Sequence, residues 1–271
     1  MINAKAYIYL LILLISTVTL SMSQVPQSHQ TFESFDGTSI AYAIEGQGPA
    51  VVLIHGFIND GGSWSRAQIK QSLIDHGYQV IIPDMRGNGY SDKPQNPEKY
   101  QNDAEIKDLK SLADHLFLDS YHAIGYSRGS ILLAKLLTQD KRITKAVIGG
   151  MGIDFSNPDW PRRIAFADAF MGRQELNEMT QGAVSYATSI HADLKILGML
   201  QDYQPVTTIE ELNTISTSLL IVCGDQDLDN GDPKALHQQL KNSQLIIVKG
   251  DHNNTYKQNN FAQAVIEFLS D

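Results

Sequence analysis

Nine residues, His122 to Ser130, read His-Ala-Ile-Gly-Tyr-Ser-Arg-Gly-Ser and leave this chain few ways to fold. An apolar run enters Gly125-Tyr126-Ser127-Arg128-Gly129, after which Ile131, Leu132, Leu133, Leu136 and Leu137 recur at helical spacing. The pattern predicts a strand, a sharp turn and a helix. Glycines two positions to either side of Ser127 let the strand and helix approach closely and leave the hydroxyl exposed at the apex. The helix that follows points its unpaired amides at whatever that hydroxyl attacks. A Gly-x-Ser-x-Gly string alone arises often by chance; the strand before it and the helix after it carry the reading.

The remaining segments supply a scaffold of the matching kind. Thr31 to Phe35 and Ser39 to Ile44 read as a hairpin turning at Asp36-Gly37. Ala50 to Ile54 and Gln79 to Ile82 are continuous apolar runs, expected of buried parallel strands. Between them a helix is expected over Ser63 to Asp75, with Trp64, Ala67, Leu73 and Ile74 on its apolar side and Gly77 as its cap. Asp103 to Leu118 is an amphipathic helix. Past the serine turn, strands are expected at Ala146 to Gly149, Leu219 to Cys223 and Leu245 to Val248, and a last helix carries Phe261, Val265, Ile266 and Leu269. Alternating strands and helices predict an α/β fold: a mostly parallel central sheet with helices on both faces.

That alternation stops between Ile153 and about Val206, where short helical pieces carry Trp160, Phe166, Phe170, Met171, Met179, Tyr186 and Tyr203. Connections beyond about 15 residues are uncommon unless functional, so residues 153–206 are expected to form a helical cap inserted into a core made of 24–152 and 207–271. Most of these aromatics are expected to pack the cap onto the sheet. Those that line a pocket favour a small or medium, mostly apolar group in the ligand. Thr208 and Glu211 form a capping box that starts one more helix.

Composition excludes several classes. A chain of 271 residues with 42% apolar and 19% charged content suits one large domain or two small ones. The net charge of -9 comes with no lysine or arginine cluster, so no nucleic-acid partner is expected. Cys223 is the sole cysteine, which rules out an intrachain disulfide. Flanked by Val222 and Gly224, it reads as a buried strand residue, and no cofactor or metal is expected. Residues 1–23 combine Lys5, an apolar run from Ala6 to Ile15 and the small residues Ser21 and Ser23. This predicts a signal peptide cleaved near Ser23 and export to a periplasmic or secreted location. The run is shorter than the ~20 residues a membrane span needs, which leaves a retained N-terminal anchor as the lesser alternative.

A serine hydroxyl is a weak nucleophile near neutral pH, so Ser127 needs a base and a group that orients the base. Two strand ends offer them: Gly224-Asp225-Gln226-Asp227 after one, Gly250-Asp251-His252 after the next. Asp154, beyond the strand at Ala146 to Gly149, is the competing acid. Asp227 is favoured because a short turn fixes it, whereas Asp154 follows the flexible Gly150-Met151-Gly152.

Taken together, His55-Gly56-Phe57, Asp84-x-Arg86-Gly87-x-Gly89-x-Ser91, Gly125-x-Ser127-x-Gly129, Gly224-x-x-Asp227 and Gly250-x-His252 resemble the α/β-hydrolase superfamily, in its serine-nucleophile branch with a helical cap. The resemblance covers nearly all of the chain after residue 23. It implies Ser127 as nucleophile, His252 as general base and acid, Asp227 as its orienting partner, and the Phe57 and Arg128 backbone N–H groups as the oxyanion hole. His55 is expected to brace the oxyanion loop, and Asp84 with Arg86 to tie the loop beside the serine turn. Ser130 and Tyr126 stand where glycine and histidine are common in the family. The expected activity is hydrolysis of a carboxylic ester or lactone through an acyl-enzyme. Carbon-carbon bonds, small amides and a non-catalytic ligand receptor on the same fold are the alternatives, while an epoxide hydrolase or haloalkane dehalogenase would need an aspartate at position 127. Oligomeric state is left open.

Overall fold

The computed structural model describes residues 29–271, so the expected export signal lies outside the described residues. Eight strands form one sheet: β1 (Gln30–Glu33), β2 (Ser39–Glu45), β3 (Ala50–Ile54), β4 (Gln79–Pro83), β5 (Tyr121–Tyr126), β6 (Ile143–Gly149), β7 (Ser218–Gly224) and β8 (Ser243–Val248). Their order across the sheet is β1-β2-β4-β3-β5-β6-β7-β8. The hairpin at one edge runs antiparallel, and β4 through β8 are parallel. Central strands are buried on both faces, as β3 is at all five positions, which is why they read as unbroken apolar runs.

Helices cover both faces. On one lie α1 (Gln68–Asp75) and the terminal α9 (Asn259–Ser270), whose Ile69, Leu73, Phe261 and Val265 meet Val51, Leu53, Ile124 and Val147. On the other lie α2 (Ala104–His115) and α3 (Arg128–Gln139), with Ile106, Leu109, Leu132 and Leu136 against Val52, Ala123 and Ile148. Between β6 and β7 the chain makes α4 (Pro161–Phe170), α5 (Glu178–Ser189), α6 (Leu194–Asp202) and the short α7 (Ile209–Leu212); α8 (Pro233–Gln239) joins β7 to β8. The first three of these form the helical cap. Its own small core, Phe170, Ala187, Ile196, Leu197 and Leu200, packs against Phe57 and Tyr100. The Thr208–Glu211 capping box is present, with both reciprocal bonds made.

Two expectations need correction. The helix expected over Ser63 to Asp75 is broken: a 3-10 turn at Gly61–Arg66, started by the Asp60 carboxylate accepting from Gly62 N, ends at an extended Ala67 before α1 begins. In one continuous helix Trp64 and Leu73 would point to opposite sides, nine residues being about 180° past two full turns. The break lets both bury in the same cluster, at 1% and 0% exposure.

Asp84 and Arg86 do not act together. The Asp84 carboxylate accepts from Gly61 N and Tyr90 N, both at 2.7 Å, and so folds the loop after β4. Arg86 instead points away, donating to Asp108 on α2 at 2.5 and 2.6 Å, to Asp36 in the β1–β2 turn, and to the Lys99 carbonyl. Burial would raise the Asp36 carboxyl, but bonds from Arg86 and Thr38 outweigh it and hold the group at about 2. Because Arg86 and Asp108 side chains are 0% and 1% exposed, removing one leaves the other charge buried and unpaired. Arg86→Met is expected to cost about 3–5 kcal/mol, seen as a lower denaturant midpoint at unchanged slope. A loss under about 1 kcal/mol would mean that water already solvates the pair.

Candidate active site

The turn after β5 holds Ser127 at φ 54° and ψ -123°, a region that L-residues seldom occupy. Two contacts enforce it. A Cβ on Gly125 would stand 2.4 Å from the Gly129 carbonyl oxygen, and one on Gly129 would stand 2.1 Å from that of Ile54. Only glycine at both positions lets α3 start this close to β3 and β5. Ser130 is fully buried, and its hydroxyl bridges the Gly125 and Gly149 carbonyls at 2.9 and 2.8 Å while accepting from Gly149 N. The departure from the commoner glycine thus pins the turn to β6.

From this apex the Ser127 hydroxyl donates to His252 Nε2 at 2.8 Å. His252 follows β8, and its Nδ1–H donates to Asp227 Oδ2 at 2.9 Å. Asp227 follows β7 and its side chain is 2% exposed, against 20% for His252. Its second oxygen, Oδ1, is buried with no hydrogen-bond partner among the described residues, so the hydrogen bond to His252 is the carboxylate's principal one. Three side chains from three strand ends, 125 and 25 residues apart in sequence, therefore form one hydrogen-bonded line. Asp154 sits in the 3-10 turn Asp154–Ser156 with its carboxylate beside the Gly231 backbone, and among the described residues makes no bond to His252. Asp225 accepts from Gly250 N at 3.0 Å and so ties the two loops together.

The loop after β3 supplies the other wall. His55 is buried, and burial pushes its pKa down, keeping the ring neutral. Its Nδ1–H donates to Gly56 O at 2.9 Å and its Nε2 accepts from Met85 N at 3.0 Å, which fixes both the tautomer and the path of the loop. The Phe57 N–H has no acceptor among the described residues, and Arg128 N–H, first in α3, lacks an intrahelical one. The Phe57 ring packs edge-on against Phe170 and Phe166 of α4, at 5.2 and 6.2 Å between centroids, so the cap rests on this loop.

Tyr126 and Arg128 line the cavity, but the tyrosine hydroxyl and both terminal guanidinium nitrogens are bonded within the protein. The Tyr126 hydroxyl donates to the His252 carbonyl at 2.8 Å. Arg128 makes a bidentate pair with Glu105 of α2 at 2.8 and 2.5 Å and donates to Leu200 O in the cap at 2.8 Å. Asn230 is a buried neighbour with no sequence signal beyond a turn-like setting; its Nδ2 lies 3.2 Å from His252 Nδ1 and 3.4 Å from Gly150 O. The single Nδ1 proton goes to Asp227, so the Asn230 amide packs against the ring edge. Cys223 is buried in β7 and burial pushes its thiol up to about 12, which makes it inert as a nucleophile.

Ser127 and His252 open onto a cavity of about 660 Å³ beneath the cap, with Trp160, Phe166, Met179 and Tyr186 in its wall. No helix among the described residues is long and apolar enough to cross a membrane.

Residues 49–181 match the family model for the alpha/beta hydrolase fold. A bromoperoxidase from Bacillus anthracis superposes with a TM-score of 0.71 at 25% identity, covering 90% of this chain and 100% of that one. An esterase from Exiguobacterium antarcticum superposes with a TM-score of 0.75 at 19% identity, covering 90% and 100%. Epoxide hydrolase 2 of Siraitia grosvenorii is 34% identical over 99 residues, a stretch that spans 36% of this chain and only 31% of that relative.

Proposed function

We propose that this chain, which belongs to the α/β-hydrolase superfamily, is a serine hydrolase that cleaves a small or medium carboxylic ester or lactone through an acyl-enzyme. The observation that carries the proposal is the line from Ser127 through His252 to Asp227, at 2.8 and 2.9 Å. As the Ser127 Oγ bonds to the carbonyl carbon, its proton passes to His252 Nε2. The Asp227 carboxylate stabilises the imidazolium so formed. Negative charge on the former carbonyl oxygen is met by Phe57 N–H and Arg128 N–H. Collapse expels the alcohol, which takes the proton from Nε2 and leaves an acyl-serine. Water then loses a proton to Nε2 as its oxygen bonds to the acyl carbon; the bond from that carbon to Oγ breaks, Oγ takes the proton back from Nε2, and the carboxylic acid leaves.

The sequence similarity to Epoxide hydrolase 2 of Siraitia grosvenorii spans only 31% of that protein, and a hydroxyl at position 127 does not supply the carboxylate that such chemistry requires. Labelling by a fluorophosphonate probe together with turnover on an ester and lactone panel tests the proposal. Absence of both would favour a ligand receptor. Export belongs to the same proposal and rests on residues 1–23 alone. Mass spectrometry of the protein from its native host should find an N-terminus near Gln24; intact residues 1–20 on a soluble cytoplasmic form would overturn it.

A further inference from the structure

The cavity wall has a charge opposite to that of the chain. Acidic residues outnumber basic ones, 30 to 21, and the net charge is -9. Yet the wall contains Arg66, Arg128, Arg162, Arg163 and Lys257 and not one aspartate or glutamate.

Two of these cations are committed elsewhere. Arg128 is neutralised by Glu105, and Arg163 donates to Gln201 O, Asp202 O and Pro158 O, where it serves the C-terminal carbonyls of α6. The other three have little to balance them. Among the described residues, Arg162 has one ion-pair partner, Asp229, at 3.6 Å and with that carboxylate side chain 60% exposed, and it lies over the Phe166 ring at 5.0 Å. Among the described residues, the exposed Arg66 and the half-buried Lys257 have no carboxylate within ion-pair distance, though Asp251 lies within electrostatic range of Lys257, which also sits over the Tyr256 ring at 5.4 Å. They come from separate parts of the chain: the 3-10 turn Gly61–Arg66, the first turn of α4, and the 3-10 turn Thr255–Lys257 just after His252. Arg162 also sits at a helix N-terminus, where the helix dipole disfavours a cation, and the first turn of α4 holds no acidic residue. The helix dipole does not account for these cations in one cavity wall, and their counter-charges within the protein are exposed or lie beyond ion-pair distance. A negatively charged ligand would supply what they lack.

We infer that the substrate carries a free carboxylate in addition to the bond that is cleaved, held at the cavity mouth by Arg66, Arg162 and Lys257, while the aromatic and methionine side chains take its apolar stem. This rests on the serine-hydrolase reading and narrows it to short monoanionic esters or lactones. An apolar wall with a few placed polar groups is the usual make-up of such a pocket. Surplus positive charge at its mouth also raises the rate of encounter with anions.

Matched ester pairs test the inference. Monomethyl adipate is compared with methyl hexanoate, which places the charge on the acyl side, and butanoyloxyacetate with propyl butanoate, which places it on the alcohol side. For at least one pair, kcat/KM should favour the anion by about tenfold or more, as charge-assisted hydrogen bonds warrant. The ratio should shrink when ionic strength rises from about 0.01 to about 1 M, which cuts the Debye length from roughly 30 to roughly 3 Å. In the triple variant R66Q/R162Q/K257Q it should approach one. A ratio at or below one for both pairs, or one that the triple variant leaves as it was, overturns the inference. Calorimetry on Ser127→Ala separates this from failure of the hydrolase reading. Monomethyl adipate binding more tightly than methyl hexanoate supports the anion site even if no ester turns over, and monomethyl adipate binding no better than methyl hexanoate sinks it.

Discussion

Ser127→Ala is expected to abolish turnover of short p-nitrophenyl esters, with a loss in kcat on the order of 10⁶, the size seen for removal of a catalytic serine in another fold's triad. The fold should survive. Among the described residues the Ser127 side chain bonds only to His252, and the backbone bond from Ser127 N to Gly149 O, at 2.9 Å, does not depend on the hydroxyl. Alanine tolerates the positive φ about as well as serine does, so the thermal midpoint should move little. Two nearby hydroxyls are poor substitutes: Ser130 is 0% exposed and bonded to two carbonyls, and Ser63 donates to Asp60 O at 2.7 Å. Near-normal kcat in the variant, or a fluorophosphonate adduct mapped to another residue, would put the nucleophile elsewhere.

What could be read in the sequence follows from the range of the interactions. The serine turn was legible because its cause is local: strand, two glycines and helix lie within one short stretch. Asp227 and His252 were legible because parallel strands deliver their C-terminal loops to one edge of the sheet, so an acid and a histidine after successive strands must come near the serine. The side chains of Tyr126 and Arg128 were not. Their partners, the His252 carbonyl, Glu105 and Leu200 O, are 126, 23 and 72 residues away, and nothing in the local pattern points to them. Arg86 was misassigned for the same reason, since its partners Asp108 and Asp36 lie 22 and 50 residues away, on α2 and in the first turn. The break at Ala67 was missed although periodicity hints at it, since Trp64 and Leu73 would lie on opposite sides of one continuous helix; no glycine or proline at Ala67 marks where the first turn stops. The cationic cavity wall was hidden because no two of Arg66, Arg162 and Lys257 are neighbours in sequence.

The choice of acid is decided by comparing Asp227→Asn with Asp154→Asn. In the first variant the amide can turn either way, because the site of Asp227 Oδ1 holds no donor that would fix it. If the amide nitrogen faces His252 Nδ1, the ring is driven into the tautomer that puts its proton on Nε2, and it cannot accept from Ser127. If the amide oxygen faces Nδ1, the tautomer is retained but the negative charge that stabilises the imidazolium in the transition state is gone. Both orientations lose catalysis, the first by about 10⁴ in the best-studied triad of another fold. The bond from the Tyr126 hydroxyl to the His252 carbonyl survives in either case, so the loss should fall on kcat rather than on protein stability. Asp154→Asn changes a group beside Gly231 that does not bond His252, so kcat should stay within a few-fold of the parent. Side-by-side kcat measurements on one ester give the answer: a collapse with Asp154→Asn and near-normal turnover with Asp227→Asn would mean that the 2.9 Å contact between Asp227 and His252 does not serve the reaction.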